Sequence, residues 1–408
     1  MNCRACQRKN IYRFLELGNH PPANEFLVKK QLSQPPPTAS PLNVYICLTC
    51  ALIQVKNYIP SGFFSHYVYV PSASDVMVRH FADLAKLLTR RFRLSRRSLV
   101  VDIGSNDGTF LSKLNRVGVR TLGVEPAENL AKIARQHGVE TVNKYFHQDT
   151  AGEILATHGP ASVIVTTNTI NHIDDLHEFV GGVVLLLADD GVFIVEVPRA
   201  TRLIEDNQFD TIYHEHLSEF SVKSMVTLFH AGGLEVAKIE ILPLHGGSMR
   251  IYGKKKRGRT ALAKSVVRLL EHEKNARLYA RSTYDRFTQR VRANKRKMWQ
   301  LLTSLQRQGK TIVGYGAPAK GNTLLNYYNI GSKTLPYLVD RSPLKQGLYT
   351  PGMHIPVFPV KKIMEDRPDY LLILAWNFKD EIIRQQREYQ RAGGKFIVPI
   401  PEPTILNV

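Results

Sequence analysis

The feature that most constrains this 408-residue chain is a short apolar run that stops at a glycine. Leu99-Val-Val-Asp-Ile103 has the nearly unbroken apolar character of a strand buried on both faces of a parallel sheet, and it leads straight into Gly104-Ser-Asn-Asp-Gly108. Phe110, Leu111 and Leu114 follow at helical spacing, so the segment reads as strand, tight turn and amphipathic helix. A second run, residues 120–124, ends in Glu125. Glycine at 104 lets a ligand approach the backbone, and a carboxylate about 20 residues after the turn is placed to accept hydrogen bonds from ribose hydroxyls. GxGxxG itself is absent. Asp102-x-Gly104 with Glu125 therefore suits an adenosyl group better than a dinucleotide, since no pyrophosphate has to sit over the helix N-terminus. Asn106 and Asp107 complete the turn expected to face that cofactor.

The pattern then repeats. Residues 162–167 read as a strand ending in Asn168-Thr-Ile-Asn-His172, a helix is expected through the 170s and 180s, and Val192-Phe-Ile-Val-Glu-Val197 reads as another strand. Alternating βα units predict an α/β, doubly wound parallel sheet whose ligands gather at the carboxyl ends of its strands. Asn168, Asn171 and His172 lie at such an end and join the expected cofactor-binding set.

The chain has only four cysteines, Cys3, Cys6, Cys47 and Cys50, in two CxxC pairs. Each CxxC turn can point two thiolates at one ion, and two such knuckles make the closed four-thiolate form of structural zinc. No open position would remain for water, so this metal would hold a module together rather than catalyse. The proline-rich stretch 34–41 reads as a surface loop between the knuckles. Beyond Cys50 an aromatic segment, residues 58–69, carries Tyr67 and Tyr69, which either pack locally or line a site. Ser72-Ala-Ser-Asp75 then offers N-cap groups to a helix with Met77, Phe81, Leu84 and Leu88 on one face.

Formal net charge is +20, but the basic clusters at 90–97, 254–259 and 268–297 are not interleaved with the aromatic platforms that single-strand binders use. Nucleic acid is accordingly not the expected partner, whereas an anionic small substrate suits the field. The best apolar stretch, residues 179–197, is interrupted by Asp189 and Asp190, so no membrane span is expected. The first twenty residues lack the apolar core of a secretion signal, which makes the cytoplasm the expected compartment, and the chain is expected to act as a monomer.

The densest polar cluster is Tyr213-His-Glu-His216. Its histidines are two apart, not the four that HExxH needs, so a second metal is not indicated. Acid–base chemistry is. Transfer of a methyl group to carbon first requires loss of a C–H proton beside a carbonyl, which calls for a base and for a hydrogen-bond donor at the carbonyl oxygen. His216 can serve as the base and Tyr213 as the donor, with Glu215 orienting the histidine or binding substrate hydroxyls.

The last third opens with a basic helical stretch, residues 261–308. Lys310-Thr-Ile-Val-Gly314 reads as a strand, and Tyr315-Gly-Ala-Pro-Ala-Lys320-Gly321 as a turn opening a helix. Glycine and lysine at such a turn can receive phosphate oxygens. Strands over 335–340, 370–376 and 396–398 complete a smaller Rossmann-like α/β domain, whose turns carry Gly316, Lys320, Asp340, Lys345, His354, Trp376 and Asn377 as candidate sugar-nucleotide contacts. The expected division is a zinc-binding module over residues 1–70, a methyltransferase domain over 71–260 and the C-terminal domain over 261–408.

Taken in order, Cys3-x-x-Cys6, Pro22-Ala-Asn24-x-Phe26, Cys47-x-x-Cys50, Ser105-Asn-Asp-Gly108, Glu125-Pro126, Tyr213-His-Glu-His216, His245-Gly-Gly-Ser-Met-Arg250 and Gly314-Tyr-Gly-Ala317 resemble the sugar C-3 methyltransferases of branched deoxysugar biosynthesis. The match spans nearly the whole chain. It implies a zinc module, a class I S-adenosylmethionine (SAM) domain and a C-terminal domain that helps hold the sugar nucleotide. The implied substrate is a 4-keto-6-deoxy sugar on dTDP or GDP, methylated beside the ketone, with His216 taking the C-3 proton and Tyr213 stabilising the enolate. Asn106 stands where common SAM turns carry glycine. O- or N-methylation of a sugar nucleotide, a zinc-containing nucleic-acid methyltransferase and a non-catalytic nucleotide binder are the rival readings.

Overall fold

The computed structural model describes residues 1–34, 39–258 and 261–406. Four residues of the expected 34–41 loop (35–38) and Arg259 of the basic cluster lie outside the described residues, while Ser40 and Pro41 begin a strand. Three sheets organise the described residues. The first is antiparallel and holds β1 (Ile11–His20), β2 (Ser40–Cys47) and β3 (Ile53–Val55). Its fourth strand, Ser218–Glu219, arrives from far along the chain and pairs with β3, with Ile53 opposite Glu219 and Gln54 opposite Ser218.

The second sheet contains β4 (Leu99–Ile103), β5 (Arg120–Val124), β6 (Thr141–Val142), β7 (Ala161–Thr167) and β8 (Leu187–Pro198). After β9, the Ser218–Glu219 strand, a hairpin of β10 (Leu234–Leu242) and β11 (Ser248–Lys255) completes it. The order is β10-β11-β8-β7-β4-β5-β6, parallel from β8 to β6, with β11 antiparallel to its neighbours. Every residue of β4 is buried, as its apolar composition requires of a central strand covered on both faces. One face packs on the helix Asp75–Arg91, which is capped by Ser74 and buries Met77, Phe81, Leu84 and Leu88. The other face packs on the helices Leu176–Leu186 and Val222–Ala231.

Two helices, Lys264–Asn275 and Arg281–Arg307, lead into the third sheet. Its strands are β12 (Ile312–Tyr315), β13 (Leu338–Val339), β14 (Val357–Phe358), β15 (Tyr370–Ile373), β16 (Lys395–Val398) and an antiparallel β17 (Thr404–Leu406). The first and third sheets share a core: Phe14, Leu15, Val44 and Ile46 pack in one cluster with Tyr284, Phe287, Leu324 and Leu338. Burial on that scale, at about 25 cal/mol per Å² of apolar surface, holds the N-terminal module against the C-terminal third. Among the described residues no helix is long and apolar enough to cross a membrane.

Candidate active site

A cavity of about 650 Å³ opens at the carboxyl ends of β4, β5, β7 and β8, closed on one side by Tyr67 and Tyr69 and on another by Lys320, Lys345 and Asn377. At its β4 end Gly104 takes φ +76°, and a Cβ there would fall 2.2 Å from Thr169 Oγ1. Only glycine lets the β4 and β7 turns approach this closely. Asn106, also left-handed, donates its N–H to Glu125 Oε2 (2.8 Å) and its side-chain amide to the carbonyl of Tyr69 (3.1 Å). Glu125 Oε1 accepts the N–H of Ala127 (2.9 Å). Two backbone donors fix this carboxylate and leave its remaining lone pairs to serve the cavity. Asp102 sits beside it, with Oδ1 unpartnered among the described residues. Burial, reinforced by Glu125 and Glu196, pushes its carboxyl up to about 8, so a ligand that brings a donor or a positive charge would restore the carboxylate.

At the other end Tyr213 Oη lies 2.6 Å from His216 Nε2, and His216 Nδ1 lies 3.0 Å from Glu219 Oε1. The Tyr213 and His216 rings stack, with centroids 4.0 Å apart. Burial, with Lys320 adding to it against a backbone contact at Thr211, pushes His216 down to about 3, and burial raises Glu219; the imidazole is held neutral, with a lone pair to offer. His172 donates from Nδ1 to the carbonyl of Glu215 (2.8 Å) and sets its ring edge-on to His216 at 5.0 Å. Glu215 turns the other way, accepting the Asn24 N–H (2.9 Å), the Asn24 side-chain amide (2.5 Å) and the Tyr67 hydroxyl (3.3 Å). Burial lifts Glu215 to about 7 against the pull of those donors. Lys320, in the first turn of the helix Ala319–Tyr328, holds its ammonium 4.6 Å from the centroid of the Trp376 ring. Burial lowers it to about 8, with Asp210 pulling the other way.

Over residues 77–239 the chain matches the model of a methyltransferase domain, over 243–401 that of a C-methyltransferase C-terminal domain, and over 3–63 that of a zinc binding domain. It is 37% identical over 409 residues to the C-methyltransferase NovU of Streptomyces niveus, an alignment covering 99% of this chain and 96% of the relative. The chain belongs to the C-methyltransferase family. A ubiquinone biosynthesis O-methyltransferase of Azorhizobium caulinodans is 28% identical over 31% of the chain and 49% of the relative. Among solved structures, SAM-dependent methyltransferases from Anabaena variabilis (15% identity, 45% of this chain, 86% of that one, TM-score 0.37) and Clostridium acetobutylicum (12%, 45%, 94%, 0.36) are similar.

As a C-methyltransferase the chain uses SAM and carries structural zinc, and its residues suit both. The four cysteine sulfurs lie within 4.8 Å of one another, with Cys3 to Cys50 at 3.4 Å and Cys6 to Cys47 at 3.5 Å. Four sulfurs about 2.3 Å from one tetrahedral ion are spaced much like this, and none is in a disulfide. For SAM, the unpartnered Asp102 oxygen and the braced Glu125 carboxylate form an acceptor wall for a ligand rich in N–H and O–H donors.

Of the residues singled out from sequence, Tyr67, Tyr69, Asp102, Gly104, Asn106, Glu125, Asn168, His172, Tyr213, Glu215, His216, Lys320, Lys345 and Asn377 line the cavity. Six lie off its wall. Asp107 spends Oδ1 on the N–H and hydroxyl of Thr109 (3.1 and 2.6 Å), bracing the turn from within. Asn171 is wholly buried behind the β7 turn. Gly316 is backed by Ala375, and Asp340 is consumed by the N–H groups of Ala317 and Ser342, both at 2.7 Å. His354 takes a left-handed conformation in a tight turn, its N–H on the carbonyl of Thr350. Trp376 forms a floor beneath Lys320, with its indole N–H on Asp210 (2.6 Å). One role changes as well: the carboxylate beside His216 is that of Glu219, while Glu215 faces Asn24 and Tyr67. Asn24 and His245 line the cavity and Glu219 meets His216, and none of the three was assigned a role from sequence. The first two sit inside quoted motifs, and Glu219 stands three residues past the histidine it meets.

Proposed function

We infer that the protein methylates carbon on a nucleotide-linked 4-keto-6-deoxy sugar, at the carbon beside the ketone. The observation that carries this reading is His216, a neutral imidazole bonded to Tyr213, in the same cavity as the Gly104 turn. Carbon methylation needs a base at this point, whereas transfer to an amine does not. In this reading Nε2 of His216 takes the C-3 proton, the C–H electron pair moves into the enolate, and the carbon then bonds to the methyl group. When bound, SAM would supply that methyl as an electrophile on sulfur, the electron pair of the broken S–CH3 bond staying on the sulfur of the departing S-adenosylhomocysteine. One hydroxyl proton can serve only one acceptor at a time, so Tyr213 must turn its O–H from Nε2 to the ketone oxygen as the substrate arrives. The base is thereby uncapped only when there is a carbonyl to receive the donor. Glu215, held by Asn24 and Tyr67, takes a sugar hydroxyl, and Lys320 and Lys345 attract the diphosphate.

The same reading gives residues 1–70 to zinc, 71–260 to SAM and 261–408 to the sugar nucleotide. The test is incubation with SAM and a panel of 4-keto-6-deoxy sugars on dTDP and GDP, read by mass for gain of one methyl. Solvent deuterium should enter C-3 in the presence of wild-type protein and not in that of His216→Asn. Methyl transfer to oxygen or nitrogen, or exchange that survives His216→Asn, would overturn the reading.

A further inference from the structure

The proton on a neutral imidazole can sit on either nitrogen, and only one choice leaves a base facing Tyr213. His216 offers Nε2 to the cavity side, where it meets the tyrosine hydroxyl, and Nδ1 to the interior, where it meets Glu219. Glu219 is 1% exposed, and its other oxygen, Oε2, has no partner among the described residues. Its backbone is pinned by pairing with Ile53 of β3, and Val55 donates its N–H to the carbonyl of Leu217 (3.1 Å). A buried carboxyl group is costly to keep, and this one stands in a strand held in register by another module. Its one side-chain hydrogen bond among the described residues is to the imidazole.

We propose that Glu219 is a positioning residue that holds the proton of His216 on Nδ1 and so keeps Nε2 free as the base. The proposal rests on the reading of His216 as the base and adds the group that sets its tautomer. The logic is that of a hydrolase triad, in which a buried carboxylate fixes the imidazole and stabilises the imidazolium without itself taking the transferred proton. The β3–β9 pairing puts that carboxyl group under the control of the zinc module, since β3 begins three residues after Cys50.

The experiment uses full-length, zinc-loaded protein with nitrogen-15 histidine. The His216 signals are identified by their absence from His216→Asn. The expected wild-type spectrum shows His216 as the neutral Nδ1–H tautomer. In Glu219→Gln, whose amide can donate to Nδ1, the Nε2–H tautomer should make up at least half, and Glu219→Asp should return it toward wild type. Methyl transfer by Glu219→Gln should fall about 100-fold in kcat, with substrate KM and SAM affinity within twofold. An Nε2–H tautomer in the wild type, an unchanged tautomer in Glu219→Gln, or a loss carried mainly by KM would each overturn the proposal. Should Glu219→Gln not fold, the wild-type tautomer decides alone. The spectrum needs no substrate, so wild-type protein that methylates no keto-sugar would sink the reading of the base without being mistaken for failure of Glu219.

Discussion

The middle and C-terminal sheets each send a central parallel strand into a glycine with positive φ, Gly104 at +76° and Gly316 at +85°, yet only the first glycine lines the cavity. At the first turn the polar groups are left partly unspent: Asp102 keeps an oxygen with no partner among the described residues, and Glu125 binds two N–H groups while still lining the cavity. At the second they are consumed internally. Asp340 takes the N–H groups of Ala317 and Ser342, and Ala375 backs the glycine. A strand-to-glycine turn is thus a way of reversing the chain, and it becomes a ligand site only where its hydrogen-bonding groups are not already satisfied by the protein.

Matched substitutions should break this contrast if it is wrong. Gly104→Ala forces a Cβ onto Thr169 at the cavity wall and should weaken SAM binding about 30-fold, or ~2 kcal/mol, by calorimetry. Gly316→Ala should lower the melting temperature but leave SAM affinity within twofold; comparable losses of affinity would erase the distinction. Lys320 reaches the cavity from the start of the helix after the second turn, and Lys320→Met should raise KM for the proposed sugar-nucleotide substrate about tenfold, ~1.4 kcal/mol, with SAM affinity unchanged. Asp340→Ala should cost about 1–2 kcal/mol of stability for two lost caps, measured by denaturant unfolding, and should leave both ligands unaffected. The smallest effect sharpens the first turn. The Asp102 carboxyl titrates near 8 when folded against 3.8 ordinarily, so its contribution favours the fold at low pH and is lost as pH rises through 8. Asp102→Asn escapes that loss, and its melting temperature relative to wild type should climb from pH 5 to pH 8; a flat or falling difference would show that Asp102 is not held protonated.

What was legible in the sequence is what local spacing determines. The strand, turn and helix around Gly104 and the two CxxC knuckles each lie within a few residues, and their chemistry follows from residue type. Asp107 and Asp340 were misplaced because a carboxylate beside a turn has two uses, bracing nearby N–H groups or meeting a ligand, and both leave the same letters. Asn24 and Glu215 meet across 191 positions. Glu219 is close to His216 in sequence, but its role depends on a strand pairing with Ile53 that no periodicity announces.

Arg4 lies between the first two zinc-binding cysteines, and its guanidinium donates to the carbonyls of Val55 (2.7 Å) and Leu217 (3.2 Å), the latter next to His216. From the second knuckle, the carbonyl of Cys50 accepts the Ser221 hydroxyl (3.1 Å). Metal and imidazole therefore belong to one mechanical unit although they never touch. A chelator should act on this enzyme as a slow poison of turnover, leaving molecules that still take up SAM on an intact middle sheet but no longer hold the proposed base, His216, at its working angle.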